Sequence, residues 1–167
     1  MEMTLPGLTS FSLDALVLET HEPVQFVDIT DTVNCVLRQR GYGDGLVIVF
    51  SRHTTAAIRV QEHEPLLLED FRDFLAAMAP RDGPYRHNDV EARGDVPPEE
   101  PPNGHSHCLH MLLGASESVP IVDGTMQLGR WQRLFLIELD GPRAQREVLV
   151  QVFGCKSARG GGYERES

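Results

Sequence analysis

The order of apolar and polar residues predicts strands and helices in alternation over the first half of the chain. Residues 10–19 switch between the two kinds, which is typical of a strand with one face in water. Residues 45–50 are a continuous apolar run rich in β-branched side chains, which predicts a buried strand. Residues 56–61 predict a second strand as its neighbour. The link between the two strands, residues 51–55, reads Ser-Arg-His-Thr-Thr.

Apolar residues at helical spacing predict three helices. The first runs to about Arg40 after a polar cap, and glycines end it. The second covers residues 64–78, with one proline tolerated in its first turn and another ending it. The third covers residues 105–113 and stops at Gly114.

The last third of the chain predicts strands joined by short turns. Asp123-Gly124 marks one turn, and Gly141-Pro142 marks a hairpin between the last two strands. This order favours an α+β fold, a sandwich of sheets with flanking helices, over a doubly wound parallel sheet. We predict one domain over residues 1–156 and a flexible, glycine-rich tail over 157–167. The predicted strands cover residues 119–122, 125–128, 134–140 and 147–153.

Composition and charge narrow the classes of function. The chain has 167 residues, which suits one domain, and a formal net charge of −10. That charge argues against a nucleic-acid binder, which needs basic stripes, and against attraction to an anionic membrane. No apolar run approaches the ~20 residues of a membrane-spanning helix, and the first residues show no signal-peptide pattern. The three cysteines are far apart, which indicates reduced thiols in a cytoplasmic protein.

Seven histidines supply the most distinctive chemistry of the chain. Four of them lie in or beside the proline-rich stretch 81–104, whose length is typical of a lid or a site loop. Imidazole is a common ligand of zinc and the natural acid–base group near neutral pH. In the Gly-His-Ser-His-Cys-Leu-His patch, a helix would place His107 and His110 on one face, whereas an extended segment would pair His105 with His107. Either arrangement supplies only half of a metal site.

Further candidate residues stand at the ends of predicted elements or on their faces. His53 follows the buried strand, where a polar side chain can line a cleft. The hydroxyls of Thr54 and Thr55 would bind an oxyanion or orient the imidazole, or would only hold a strand-end turn. Asp70 lies among apolar neighbours on the second helix and would orient a histidine or face water.

Two later residues leave their roles open between structure and binding. Trp131, the only tryptophan, is a core or interface anchor, or the wall of a pocket. Glu138 alternates with apolar residues in a predicted strand, so it points into a cleft or to water.

The order and spacing of several short motifs resemble the YjbQ-like family over residues 10–154. Each motif is short, but together they make a specific match. No dinucleotide-binding turn, P-loop, HExxH helix or GxSxG elbow competes with it. The motifs are His53-Thr54-Thr55-Ala56-Ala57, Asp70, Tyr85-Arg86-His87, Asn103-Gly104-His105-Ser106-His107, Leu128-Gly129-Arg130-Trp131-Gln132 and Glu138-Leu139-Asp140-Gly141-Pro142-Arg143.

The resemblance implies a fold, an assembly and an activity. The implied fold is an α+β core resembling a β-sandwich, and the implied assembly is a homotrimer. The family's histidines match His53, His87 and His107, and its helix aspartate matches Asp70, so these residues would line one pocket at or near a subunit interface. The family is often described as a secondary thiamine-phosphate synthase, which implies a weak transferase activity.

Three functions of different classes follow. An enzyme would bind a phosphorylated small molecule with bare imidazoles, or with a divalent metal, zinc foremost, held by the three histidines. His53 or His107 would act as general acid–base, and Asp70 would fix its tautomer. Many family members carry a lysine where this chain has Leu109, and Arg130 would supply the missing positive charge. The alternatives are a non-catalytic binding protein for a metal or a small anionic metabolite, and a structural trimer with histidines at its interface.

Overall fold

The strands pair in two antiparallel sheets, one of five strands and one of three. A computed structural model of the chain describes residues 10–94, 96–97 and 100–157. Their elements are β1 (Ser10–Thr20), β2 (Gln25–Asp28), α1 (Thr30–Gln39), β3 (Tyr42–Ser51), β4 (Ala56–Glu62), α2 (Pro65–Met78), a 3-10 turn (Arg86–Asn88), α3 (Val90–Arg93), α4 (Gly104–Leu113), β5 (Ser116–Val122), β6 (Thr125–Met126), β7 (Gln132–Glu138) and β8 (Arg143–Lys156). The sheet orders are β1-β8-β3-β5-β6 and β2-β7-β4.

The larger hydrophobic core lies between the two sheets. It forms because every second residue of β3 and β8 is apolar and points to the same side of the five-stranded sheet. Helix α1 adds Val33 and Leu37 to this core. Each fully buried side chain of this size contributes roughly 1.5–3 kcal/mol. The inward-facing residues of the strands include Val47, Val49, Leu134, Leu136, Val148, Val150 and Val152.

A second core lies between the three-stranded sheet and helices α2 and α4. Successive residues of a strand point to opposite faces, so β7 contributes to both cores. Its Leu134 and Leu136 face the other sheet, whereas Phe135 and Ile137 pack with Leu109 of α4 and other helix residues. The result is a layered α+β protein, which confirms the predicted fold class.

The start of α2 shows how local sequence sets an element boundary. The Glu64 carboxylate accepts hydrogen bonds from the backbone N–H groups of Leu66 at 3.1 Å and Leu67 at 2.7 Å. Pro65 occupies the first turn, where its missing N–H would have no partner in any case. The helix ends at Met78, as the spacing of apolar residues predicts.

Two predicted strand pairings are wrong. Strands β3 and β4 do not pair with each other, because β4 pairs with β7 in the smaller sheet and β3 with β5 and β8 in the larger. Gly141-Pro142 does not close a hairpin, because β7 and β8 belong to different sheets. In both places the chain crosses from one sheet to the other within a few residues. By contrast, the Asp123-Gly124 turn does join the paired strands β5 and β6.

The outer face of the five-stranded sheet is apolar. Strand β1 confirms the alternating pattern, but the residues that it exposes are Phe11, Leu13 and Val17. Cross-strand pairing extends this face, because Phe11 lies opposite Phe153 of β8, and Phe153 lies opposite Leu46 of β3. We call this surface the outer sheet face.

Two further expectations concern the chain as a whole. None of the described helices is long and apolar enough to cross a membrane. The predicted flexible tail over residues 157–167 lies, apart from Ser157, outside the described residues.

Candidate functional site

A cleft of about 340 Å³ lies where the ends of several elements meet. The link between β3 and β4 brings Thr54 and Thr55, and α4 brings His107. Strand β8 brings Arg143 and Arg146. These elements converge because Thr20 at the end of β1 pairs with Arg143 at the start of β8, and β3 ends beside the same strand.

A buried ion pair stands at the base of the cleft. Arg146 on β8 donates from Nε to Glu138 Oε2 at 2.6 Å and from Nη2 to Glu138 Oε1. Thr20 Oγ1 donates to Glu138 Oε2 at 2.8 Å, and the backbone N–H of Asp140 donates to Oε1 at 2.8 Å. Arg146 Nη2 also donates to Thr55 Oγ1 at 3.1 Å. Every charge in this network therefore has a hydrogen-bonded partner.

The network keeps Glu138 ionised. Burial alone raises the pKa of a carboxyl group, because it disfavours the charged form. Here the hydrogen bonds from Arg146 and from the Asp140 N–H outweigh burial and hold the pKa of Glu138 below its ordinary value. Glu138 is therefore a carboxylate that holds Arg146 in place at the base of the cleft.

A second set of hydrogen bonds joins α4 to the cleft. Buried Asn103, just before α4, donates from Nδ2 to Asp140 Oδ2 at 3.1 Å, and Arg143 donates to the same oxygen. Ser106, which is fully buried, donates to the backbone oxygen of Leu139 and lies 3.1 Å from His105 Nε2. These contacts fix the first turn of α4 against the end of β7.

His53 is held beside the cleft by a strand backbone. The N–H of Glu147 on β8 donates to His53 Nε2 at 2.8 Å. The neutral imidazole must therefore carry its proton on Nδ1. Burial lowers the pKa of His53, and the nearby Arg146 cation lowers it further, so the neutral form is favoured.

His87 and His107 lie against each other on the loop side of the cleft. Their ring centroids are 4.5 Å apart with an interplanar angle of 69°. His87 Nε2 lies 3.5 Å from Glu100 Oε1, which also accepts a hydrogen bond from Arg93 at 3.0 Å. Burial lowers the pKa of His107, and the neighbouring His87 lowers it further.

The two remaining histidines of the dense patch are not in the cleft wall. Because α4 is a helix, His107 and His110 lie one turn apart, as the helical alternative predicts. Burial lowers the pKa of His105 and of His110. Burial therefore favours the neutral form of both rings.

The expected zinc ligands do not form a complete set within one chain. No three His, Cys, Asp or Glu side chains among the described residues are arranged to hold a metal ion. His87 and His107 are neighbours, but the Glu147 amide already engages Nε2 of His53. The donor set therefore fits zinc only in part.

Other predicted site residues lie elsewhere. Asp70 is exposed on α2 and lines a different groove, beside Phe71 and Phe74. Trp131 is 61 % exposed, and the Arg130 guanidinium stacks over its ring at 4.6 Å. Neither Arg130 nor Trp131 lines the histidine cleft. Within one chain, the structure brings Thr54, Thr55 and His107 together, with His53, His87 and Glu138 next to them.

Sequence reasoning missed the role of Arg146. A signal was present, because Arg146 stands two residues before Val148 and has the same inward register as Val150 and Val152. A charged residue in register with buried valines indicates a buried charge with a partner. Asn103, Asp140 and Arg143 were noted only as parts of motifs, although all three line the cleft.

Fold and cleft together define a class: layered α+β proteins with an arginine-, threonine- and histidine-lined cleft where the strands of both sheets end. The chain belongs to the UPF0047, YjbQ-like family, whose model matches residues 14–155.

Relatives and solved structures agree with this membership. A UPF0047 protein of Methanothermobacter thermautotrophicus is 41 % identical over 139 residues, covering 83 % of this chain and 90 % of the relative. A crystal structure of a YbjQ-like protein of unknown function from Sulfolobus solfataricus has a TM-score of 0.80 at 31 % identity, covering 89 % of this chain and all of that one (100 %). A hypothetical protein from Aeropyrum pernix has a TM-score of 0.77 at 34 % identity, covering 86 % and 99 % of the two chains.

Proposed function

We propose that the cleft binds a small phosphorylated metabolite through Arg143, Arg146, Thr54 and Thr55. The observation that carries this proposal is the meeting of these four donor side chains in one cleft. Guanidinium and hydroxyl groups are common donors to phosphate oxygens. Thr55 Oγ1 accepts a hydrogen bond from Arg146, which leaves the threonine proton available to a ligand oxygen.

The charge balance of the cleft indicates modest affinity. Arg146 is paired with Glu138, and Arg143 with Asp140. Glu100, which also lines the cleft, is paired with Arg93. A phosphate group would therefore gain directed hydrogen bonds more than net electrostatic attraction.

A weak transferase activity of the thiamine-phosphate synthase kind is the reaction that we propose for this cleft. That reaction joins a pyrimidine pyrophosphate to a thiazole phosphate, and its main demand is stabilisation of the leaving pyrophosphate. Arg143 and Arg146 would stabilise the leaving pyrophosphate only in part, since each already forms an ion pair with a carboxylate. The thiazole nitrogen would form the new C–N bond as the C–O bond to pyrophosphate breaks, and His107, in the cleft, would give a proton to the leaving pyrophosphate oxygen.

The alternative is binding without catalysis, of a small anionic metabolite or a divalent metal. The same four donors serve metabolite binding. For a metal, zinc foremost, His87 and His107 would supply two ligands, and the rest of the set would have to come from a rearranged neighbour such as Glu100. No step of the proposal depends on a metal.

We further propose a homotrimer in the cytoplasm. The outer sheet face supports assembly. Soluble monomers rarely expose large contiguous apolar patches, and this face exposes Phe11, Leu13 and Phe153. The face extends to Glu147 of β8, whose backbone N–H donates to His53. A second copy bound to this face would therefore lie close to the cleft. A reducing compartment is supported by three free thiols, at Cys35, Cys108 and Cys155.

The binding proposal is tested by isothermal titration calorimetry with pyrophosphate and with inorganic phosphate. Replacing the exposed Thr54 by Val should weaken pyrophosphate binding by about three- to tenfold, since one hydrogen bond contributes about 1 kcal/mol. Thr125→Val, at an exposed threonine on β6, is the matched control and should bind as the wild type does. Equal affinity in Thr54→Val, or no binding at millimolar pyrophosphate, would overturn the proposal.

The transferase proposal needs a separate measurement. Pyrophosphate release from the pyrimidine and thiazole substrates should fall in His107→Gln, while pyrophosphate affinity stays within about twofold. Binding without release above background would support the non-catalytic alternative. Metal analysis of the purified protein shows in parallel whether zinc co-purifies.

A further inference from the structure

A second cavity shares no lining residue with the histidine cleft and lies on the helix-facing side of the three-stranded sheet. It is a groove of about 480 Å³ between that sheet and the helix layer. Phe26 of β2 and Ile137 of β7 form its floor, and α2 and the end of α4 form its sides. We call it the phenylalanine groove, because Phe26, Phe71 and Phe74 line it.

The groove combines an apolar surface with one carboxylate. Asp70, Phe71 and Phe74 line the groove from α2, because Phe74 lies four residues after Asp70 and three after Phe71, the spacings of neighbours on a helix face. Phe74 is 62 % exposed at the groove, although large aromatic side chains gain most from burial. A concave apolar site with a few polar groups is the usual form of a small-molecule pocket.

The unbalanced charge in the groove is negative. Arg59, the cation of the groove, is already engaged by Glu117 at 3.0 Å. Arg72, which lies over the Phe26 ring at 5.8 Å, pairs instead with Glu22 at 3.8 Å. No arginine, lysine or histidine in the described part of the chain forms an ion pair with Asp70.

We propose that the phenylalanine groove is a second ligand site, which takes a small organic cation: an amine or quaternary ammonium group on an apolar body. Asp70 pairs with the cationic group, and the phenylalanine rings cover the apolar body. Aromatic faces attract cations through their quadrupole, so the rings and the carboxylate favour the same ligand charge. The formal net charge of −10 adds a long-range attraction for cations.

The site also explains the position of Asp70. The carboxylate lies on the groove side of the helix layer, whereas the histidine cleft lies where the strands of both sheets end. Ile137 in the groove and Glu138 under the cleft are consecutive residues of β7 that point to opposite faces. The two cavities share no lining residue, so the groove does not depend on the function proposed for the cleft.

Three probes with the same phenylethyl body and polar groups of different charge test the proposal: 2-phenylethylamine, 2-phenylethanol and 3-phenylpropionate. Amide chemical-shift changes in 15N-labelled full-length protein report both affinity and position. We expect the amine to bind with a dissociation constant on the order of 1 mM or below, with shifts in α2 and β7. The alcohol should bind more weakly and the carboxylate most weakly.

Variants of α2 separate the charge from the shape of the groove. Asp70→Asn should weaken amine binding by about three- to tenfold and change alcohol binding by less than about twofold. Asp73→Asn removes an exposed carboxylate of the same helix outside the groove and should leave both affinities unchanged. Phe74→Ala should weaken the amine and the alcohol alike.

Three results would overturn the proposal. The first is an amine affinity that is the same in Asp70→Asn as in the wild type. The second is equal binding of the amine and the carboxylate. The third is the absence of amine-induced shifts in α2 at saturating probe, or shifts confined to the histidine cleft. Asp70 and Phe74 are exposed, so both variants should fold, and far-UV circular dichroism checks that they do.

Discussion

Glu138 and Arg146 join the two sheets through a buried ion pair. Glu138 ends β7 in the three-stranded sheet, and Arg146 lies on β8 in the five-stranded sheet. Their side chains are 0 % and 5 % exposed, and Thr20 and Thr55 satisfy remaining hydrogen-bonding positions. The pair links the two sheets at the end of the sandwich where the cleft lies.

Removing the charge of Glu138 should destabilise the fold strongly. In Glu138→Gln, the amide cannot balance Arg146, which stays buried and unpaired. Breaking such a pair costs about 3–5 kcal/mol. Urea unfolding monitored by circular dichroism measures the change. The matched control, Arg40→Met, breaks the exposed pair with Asp14 and should have a much smaller effect. A similar loss of stability in both variants would contradict this account.

His53 should exist as the Nδ1-protonated tautomer at neutral pH. The Glu147 N–H already donates to Nε2, so that nitrogen cannot also carry a proton. Long-range 1H–15N correlation spectra distinguish the tautomers directly. The same spectra, recorded as the pH falls, should give a pKa of His53 below the ordinary value for histidine of about 6.5, because the ring is partly buried. A protonated Nε2 would show that the strand does not hold the ring.

The protein should lose stability as the pH falls below about 6.5. Burial lowers the pKa of His53, His105, His107 and His110 in the folded state. The unfolded chain therefore binds more protons in this range, and protonation favours unfolding. The contribution is fully present above the unfolded pKa of about 6.5 and is lost as the pH falls towards the folded values.

Urea midpoints between about pH 7.5 and about pH 5.5 measure this dependence. His110→Gln should reduce its slope, because burial alone lowers the pKa of His110. A midpoint that stays constant or rises towards acid would refute it. Burial raises the pKa of Asp28, but hydrogen bonds from Arg133 and Thr30 outweigh it and lower this pKa to about 2, so Asp28 loses its contribution only at much lower pH, between its ordinary value of 3.8 and about 2.

Ser106→Ala should cost about 1–3 kcal/mol despite its small change in volume. The hydroxyl is fully buried, donates to the Leu139 oxygen and contacts His105 Nε2, so its loss leaves buried polar groups without a partner. Thermal unfolding gives the difference. Ser118→Ala, at an exposed strand position, is the control and should change little. Equal effects at both serines would argue against the link between α4 and β7.

A charged substitution on the outer sheet face should dissociate the proposed trimer into single chains. Leu13→Glu places a charge between the exposed Phe11 and Val17 on β1, within the outer sheet face. Size-exclusion chromatography with light scattering should show three times the chain mass for the wild type and one chain mass for the variant. Glu62→Lys, a charge change on β4 in the other sheet, is the control. A wild-type monomer would exclude the assembly.

Local structure was predictable from the sequence, whereas strand pairing was only partly so. The apolar spacing of residues 64–78 predicts α2 because a helix is determined by neighbours in the chain. The alternation of residues 10–19 predicts β1, and the apolar run of residues 45–50 predicts β3, for the same reason. Pairing depends on residues far apart in the chain, so the prediction that β3 pairs with β4, its neighbour in sequence, is wrong.

The candidate site was predictable in outline only. The motifs pointed to His53, His87 and His107, and the structure brings His87 and His107 into ring contact. The register of Arg146 with buried valines marks it as an inward-facing charge, but no local pattern predicts its partner Glu138, which lies in the other sheet. The separation of Asp70 from the histidines also follows from the layering of the sheets and helices, which a sequence pattern does not encode.

Strand β7 and the two residues after it should tolerate few substitutions. Every residue from Leu134 to Asp140 is buried, with one set of side chains facing a sheet and the other facing helices. A substitution in this stretch disturbs a core, a cavity or the ion pair, because none of its side chains faces solvent. In a library of random variants selected for folding, this stretch should tolerate the fewest substitutions, while the alternating strand β5 should accept changes at every second residue.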